Sequence, residues 1–135
     1  PVRKFALRVG VPQHWRRLAL TVCEFHLDMH RVFEMRSKSV LKLLSASGLE
    51  FDERLMHEFA GACEADKRGR LHKTEKPYDQ RPFVLDVRAA LQEIPLPQGL
   101  TPGDRLAQQQ HKHRLDAVRA IRDKYRPAQV DRQEC

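Results

Sequence analysis

Long apolar runs and strand patterns are both missing from this 135-residue sequence. No stretch approaches the roughly 18 consecutive apolar residues of a membrane-spanning helix, so we expect no membrane partner. No segment alternates apolar and polar residues among β-branched types, which argues against a β-sheet. The order of basic, apolar and small residues that marks a secretory signal does not occur in the first residues either.

Cysteine is scarce, and the three cysteines form no CxxC pair. An odd number without metal-ligand spacing predicts neither a disulfide framework nor a zinc knuckle, and it favours the reducing cytoplasm. Cys23 and Cys63 fall on apolar helical stripes, so we expect both to be small core residues. The sequence also has no glycine-rich phosphate loop and no serine in a strand–turn–helix context, so it offers no motif for those two kinds of catalysis.

Apolar residues recur every three or four positions along most of the chain, which is the spacing of one face of an α-helix. The longest stripe consists of Trp15, Leu18, Val22, Phe25, Met29 and Val32. The pattern predicts an all-α protein, built as an irregular bundle of about five to six helices.

Several residues mark where these helices should begin and end. Asp52 is placed to cap a helix that ends at Gly69, and Ser37 and Thr101 are placed to cap two others. Pro127 should end the last helix, because proline lacks a backbone N–H.

Basic residues outnumber acidic ones, 25 against 18, and they are unevenly distributed. Residues 1–23 contain five cationic side chains and no acid, and residues 67–81 contain six cationic side chains and two acids. Such clusters suit a polyanion, because each phosphate that a cation neutralises releases condensed counterions. A solvated basic surface without a partner gives the same composition, so charge alone leaves both interpretations open.

The most distinctive string is EADKRGR, from Glu64 to Arg70, at the predicted end of a helix. Cations are favoured there by the helix dipole, and Gly69 can turn the chain out of the helix. One interpretation is a structural helix end, in which Glu64 pairs with Arg68 four residues later. The other is that Glu64 and Asp66 hold the two arginines in fixed positions for phosphate or ribose.

EADKRGR, the preceding EFH at 24–26 with His30, and SVLKLL at 39–44 together resemble the C-terminal half of bacterial CCA-adding tRNA nucleotidyltransferases, of the type that carries an HD phosphohydrolase domain. The resemblance covers about residues 5–125. It implies that 1–48 is the end of an HD-like helical domain and 49–135 a helical tRNA-binding region, or that both form one continuous unit. Because the chain begins at Pro1 rather than Met, we expect it to be a piece of something longer.

The resemblance implies a parent enzyme that adds CCA to tRNA 3′ ends from CTP and ATP, with magnesium held by a DxD pair of carboxylates. This sequence has no DxD pair. We therefore expect the chain to bind tRNA without holding the magnesium or the nucleotide-transfer site. The residues predicted to contact RNA are Lys67, Arg68, Arg70, Lys73, Arg16 and Arg17, with Glu64, Asp66 and Gly69 as the motif around them.

His26 and His30 lie four residues apart, on one helix face, at a spacing that can hold a transition metal. The resemblance puts His26 near the HD metal site and makes it the candidate ligand of a divalent metal. In the structural interpretation, His26 is hydrogen-bonded within the helix packing and His30 is exposed. The sequence contains no His-Asp dipeptide. Two alternatives to tRNA binding stay open, a remnant of an HD-type metal-dependent phosphohydrolase and a helical protein-interaction module.

Overall fold

The computed structural model describes residues 1–70, 75–95, 99, 101 and 103–133, with side chains described as far as Tyr125. Within these residues the chain forms six α-helices, a short 3-10 turn and no strand, which confirms the predicted all-α class. The helices are α1 (Val2–Arg8), α2 (Gln13–His30), α3 (Ser37–Ala46), α4 (Glu53–Arg68), α5 (Gln80–Gln92) and α6 (Arg105–Gln133), and the turn is Leu49–Phe51. None of the described helices combines the length and the apolar character needed to cross a bilayer.

Buried apolar residues from α2 to α6 form one hydrophobic core. Phe59 of α4 and Phe83 of α5 are its largest fully buried side chains, and Met29, Leu44 and Val118 pack with them from α2, α3 and α6. Residues before and after position 48 therefore pack into the same core. The proposed division into 1–48 and 49–135 stays a prediction.

Of the capping residues predicted for the starts of α3 and α4, the one for α4 is confirmed and the one for α3 is wrong. The side chain of Asp52 accepts a hydrogen bond of 2.9 Å from the backbone N–H of Leu55, so it caps α4 as predicted. The prediction that Ser37 caps α3 is wrong, because Ser37 is the first residue of the helix and Arg36 takes the cap position. Arg36 makes no side-chain capping bond, and its carbonyl accepts from the backbone N–H groups of Ser39 and Val40 at 2.8 and 3.0 Å.

The last helix begins and ends later than predicted. The carbonyl of Asp104 accepts the first helical hydrogen bond of α6, from Gln108 at 3.0 Å, so Asp104 takes the place predicted for Thr101. The carboxylate of Asp104 also accepts from the backbone N–H of Thr101 at 2.9 Å. The prediction that Pro127 ends the helix is wrong, because α6 continues to Gln133. A proline removes a single backbone hydrogen bond, and the flanking turns still make theirs.

The bundle leaves part of α2 uncovered, and two residues predicted to be in the core are exposed there. Trp15 is 53% exposed and Cys23 is exposed, whereas Cys63 is buried as predicted. At 100° per residue, Cys23 lies about 120° around the helix from the buried Met29. Trp15 lies only about 40° from Met29 around the helix, but it is in the first turn of α2, fourteen residues before Met29. These two positions are therefore corrections to the predicted core.

Candidate nucleic-acid interface

The EADKRGR string forms the last turns of α4 and the residues just after it. The carboxylate of Glu64 accepts two hydrogen bonds of 2.8 Å, from Nε of Arg68 and from Nη1 of Arg81. Asp66 accepts from Nη2 of Arg70 at 3.2 Å. The acids and arginines of the string are therefore brought together, in ion pairs that fit both the structural and the functional interpretation.

Gly69 follows α4 in a right-handed conformation, with φ −68°. The turn therefore does not use the left-handed conformation that glycine adopts easily. A Cβ at this position would lie 3.1 Å from the carbonyl oxygen of Ala65, which is a tight contact. A glycine suits this position because it brings no Cβ close to the backbone carbonyl of Ala65.

His30 connects the string to the end of α2. Its Nε2 donates to Oδ2 of Asp66 at 2.8 Å, and its Nδ1 accepts from the hydroxyl of Tyr78 at 2.7 Å. We assign the proton to Nε2 because an ionised carboxylate can only accept. The structural interpretation is wrong in having His30 exposed, since the side chain of His30 is 7% exposed between α4 and the segment before α5.

Both acids of the string are held in their ionised form. The hydrogen bond from His30 and the charge of Arg70 lower the pKa of Asp66 below its ordinary value. The hydrogen bond from Arg81, followed by that from Arg68, lowers the pKa of Glu64. Each carboxylate therefore keeps its negative charge at neutral pH and continues to orient its arginine.

His26 makes its hydrogen bond inside its own helix, as in the structural interpretation. Its Nδ1 donates to the carbonyl of Val22 at 2.8 Å, and its ring packs edge-on against His30 with the centroids 6.0 Å apart. Among the described residues, no three His, Cys, Asp or Glu side chains come close enough together to hold a metal ion. Among the described residues, His26 therefore has no partners with which to hold a divalent metal, and its role as a metal ligand stays a prediction.

A small cleft lies between the last turn of α4 and the segment before α5. It measures about 100 Å³ and is lined by Lys67, Arg68, Lys76, Pro77, Tyr78 and Gln80. In the part of the chain that the structure describes, no carboxylate forms an ion pair with Lys67 or Lys76. Lys67 and Arg68 were predicted from the sequence and Lys76 was not, although it belongs to the same cationic segment. Lys73 lies outside the described residues.

A second cleft, of about 310 Å³, lies between α1 and α2, and the other two predicted cations, Arg16 and Arg17, line it. It is lined by Arg3, Leu7, Gln13, Arg16, Arg17 and Leu20. Arg17 donates to Oδ2 of Asp52 at 2.8 Å and so ties α2 to the cap of α4. Within the described ranges, Arg16 and Arg3 make no such ion pair. Arg17 therefore already has a carboxylate partner, whereas Arg16 and Arg3 have none among the described residues, and the prediction that Arg16 and Arg17 contact RNA stays a prediction.

No protein-family model matches this chain, and no solved structure matches it. Curated relatives do match. The chain is 38% identical over 121 residues to a multifunctional CCA protein of Alkalilimnicola ehrlichii, which covers 87% of this chain and 29% of that protein. A multifunctional CCA protein of Xanthomonas campestris pv. campestris is 43% identical over 91 residues, which is 67% of this chain and 22% of the relative.

A third relative, the multifunctional CCA protein of Hahella chejuensis, is 33% identical over 130 residues, 93% of this chain and 31% of the relative. The matched region spans less than a third of each relative. This is consistent with the predicted correspondence to one region of a longer protein. The resemblance carried by EADKRGR is thereby confirmed, and the chain belongs to the family of the multifunctional CCA proteins.

Proposed function

We propose that this chain is the tRNA-binding helical part of a cytoplasmic CCA-adding tRNA nucleotidyltransferase. In this proposal the whole enzyme adds CCA to tRNA 3′ ends from CTP and ATP. The nucleotides and the magnesium are bound outside this chain, which has no DxD pair to hold the metal. The sequence similarity to the multifunctional CCA proteins supports the proposal that the chain is part of such an enzyme.

The observation that carries the binding role is the Lys67–Lys76 cleft beside the EADKRGR string. Two ammonium groups line one small cleft, and in the described part of the chain neither has a carboxylate partner. Two unpaired cations in one cleft repel each other, so a phosphate between them lowers the electrostatic energy. Arg70, which Asp66 orients and which is more than half exposed, adds a third donor at the same end of α4.

The proposed role of this interface is to hold the RNA in position, without a chemical reaction. Lysine and arginine contacts to phosphate fix where an RNA lies but carry no base information. Folded RNA exposes phosphates and 2′-hydroxyls more readily than base edges, so recognition rests on shape. A correctly held tRNA would have its 3′ end placed for a catalytic domain elsewhere in the parent.

Anisotropy of a labelled tRNA at several salt concentrations between 50 and 200 mM tests the proposal. We expect affinity to fall steeply with salt, and the salt slope of Lys67→Gln/Lys76→Gln to be smaller by about 2, roughly 1 for each lost phosphate contact. The matched control is Lys38→Gln/Lys112→Gln, which removes the same charge from exposed positions on α3 and α6. Salt-independent binding, or equal losses in the two variants, would contradict the proposal.

A further inference from the structure

The α1–α2 cleft differs chemically from the Lys67–Lys76 cleft. Leu7 and Leu20 form apolar walls, and Arg3, Arg16 and Arg17 surround them. Leu7 is 56% exposed, so no other part of the described chain covers this wall. A cleft of this kind offers apolar surface and positive charge to the same ligand.

The electrostatics of this cleft favour an anionic partner over a cationic or neutral one. No acid occurs in residues 1–23, which supply its entire lining. Asp52, which comes from outside that range, is already engaged by Arg17. Glu58, the carboxylate that contacts His14 at the start of α2, is shared between His14 and Arg54. The complementary ligand is therefore an anion that also carries an apolar surface.

An unpaired nucleotide has both properties. In a duplex the faces of the bases are stacked inside, so only the phosphates could use this cleft and the leucine walls would stay wet. An unstacked base exposes its faces, and proteins that bind single strands combine a cationic groove with surfaces that cover those faces. Arginine suits such a site, since its planar group binds phosphate and also stacks on a base.

We propose that the α1–α2 cleft binds one unpaired nucleotide of RNA, with the base against Leu7 and Leu20 and the phosphate on Arg3 and Arg16. This inference rests on the proposed RNA-binding function and adds to it the strandedness of the RNA at this position. The volume of the cleft, about 310 Å³, lies at the small end of the range for ligand-binding clefts, which suits one nucleotide rather than a longer segment.

The test compares a 12-nucleotide single-stranded RNA with the same sequence as a blunt duplex, both bound to the full chain. Trp15, the only tryptophan of the chain, directly precedes Arg16, so its fluorescence reports on this side of the molecule. We expect Leu7→Ser to weaken single-strand binding roughly fivefold and to leave duplex binding unchanged, because only the apolar contact is lost. Leu106→Ser is the matched control, since Leu106 is 49% exposed and lies on α6.

Equal affinities of Leu7→Ser and Leu106→Ser for the single strand would overturn the inference, as would equal losses for both RNAs in Leu7→Ser. A change in Trp15 emission with protein concentration alone would also overturn it, because that marks a protein–protein surface. If tRNA still binds through Lys67 and Lys76 in any of these cases, the proposed function stands and only the nucleotide cleft fails. If no RNA binds at all, the proposed function fails as well.

Discussion

Nε2 of His30 donates a hydrogen bond of 2.8 Å to the carboxylate of Asp66, which joins the last turn of α2 to the last turns of α4. The same carboxylate accepts from Arg70, and the same imidazole accepts from Tyr78. Four side chains thus connect the EADKRGR string to two other segments of the bundle. Through this connection, the end of α4 and the cations beside it are held against the core.

Acid should destabilise the fold. The pKa of Asp66 is lowered by the hydrogen bond from His30, and that of Glu64 by the hydrogen bond from Arg81. Such a carboxyl stabilises the fold fully above its unfolded pKa, and the contribution is lost as the pH falls through the folded pKa. We therefore expect the free energy of unfolding, measured by urea titration, to fall as the pH is lowered from about 5 towards 3.

The Asp66→Asn variant should show a shallower fall over the same pH range, because one of these carboxyls has been removed. Glu93→Gln is the control, since Glu93 is exposed and makes no ion pair within the described residues. The same slope in both variants would contradict a role for Asp66 in acid stability.

The ion pair between Arg114 of α6 and Glu50 should be costly to break from one side. Both side chains are buried, and one carboxylate oxygen of Glu50 has no hydrogen-bond partner in the described structure. Arg114→Met leaves that carboxylate unpaired in the interior, so we expect a loss of about 3–5 kcal/mol in the free energy of unfolding, measured in urea.

The double variant Glu50→Leu/Arg114→Met removes both charges, and we expect it to recover most of that loss. Arg119→Met, on the exposed side of the same helix, should change stability by less than about 0.5 kcal/mol. A double variant as unstable as Arg114→Met would show that lost packing, rather than the unpaired charge, is responsible.

The two described cysteines should differ sharply in reactivity. Burial raises the pKa of the Cys63 thiol to about 12, whereas Cys23 is exposed on α2. Because the thiolate is the reactive form, a thiol reagent at pH 8 should label Cys23 rapidly and leave Cys63 unlabelled. The measurement uses a Cys135→Ser background and counts one labelled thiol in the native protein and two in denaturant. Rapid labelling of two thiols in the native protein would show that Cys63 is accessible.

The all-α class and the cap at Asp52 could be predicted because a helix forms its hydrogen bonds between residues close in sequence. Apolar spacing and a capping carboxylate are local signals, and the ranges of α2 and α4 follow from them closely. The prediction for Cys23 was wrong because Cys23 lies about 120° from the buried Met29, outside the apolar face. The prediction for Trp15 was wrong because spacing shows that a helix has an apolar face, while the neighbouring helices decide how much of its length is covered.

The sequence by itself determined the helical class, the two cationic segments and the family resemblance of EADKRGR, since each of these depends on residues that are close together in the sequence. The tertiary structure alone decided which cations are already paired and which are available. Arg17 meets Asp52 across 35 residues, and Arg81 meets Glu64 across 17. Lys67 and Lys76 instead share a cleft. The physical reason is that an ion pair depends on distances of a few ångströms between side chains, and only the packing of the helices sets those distances.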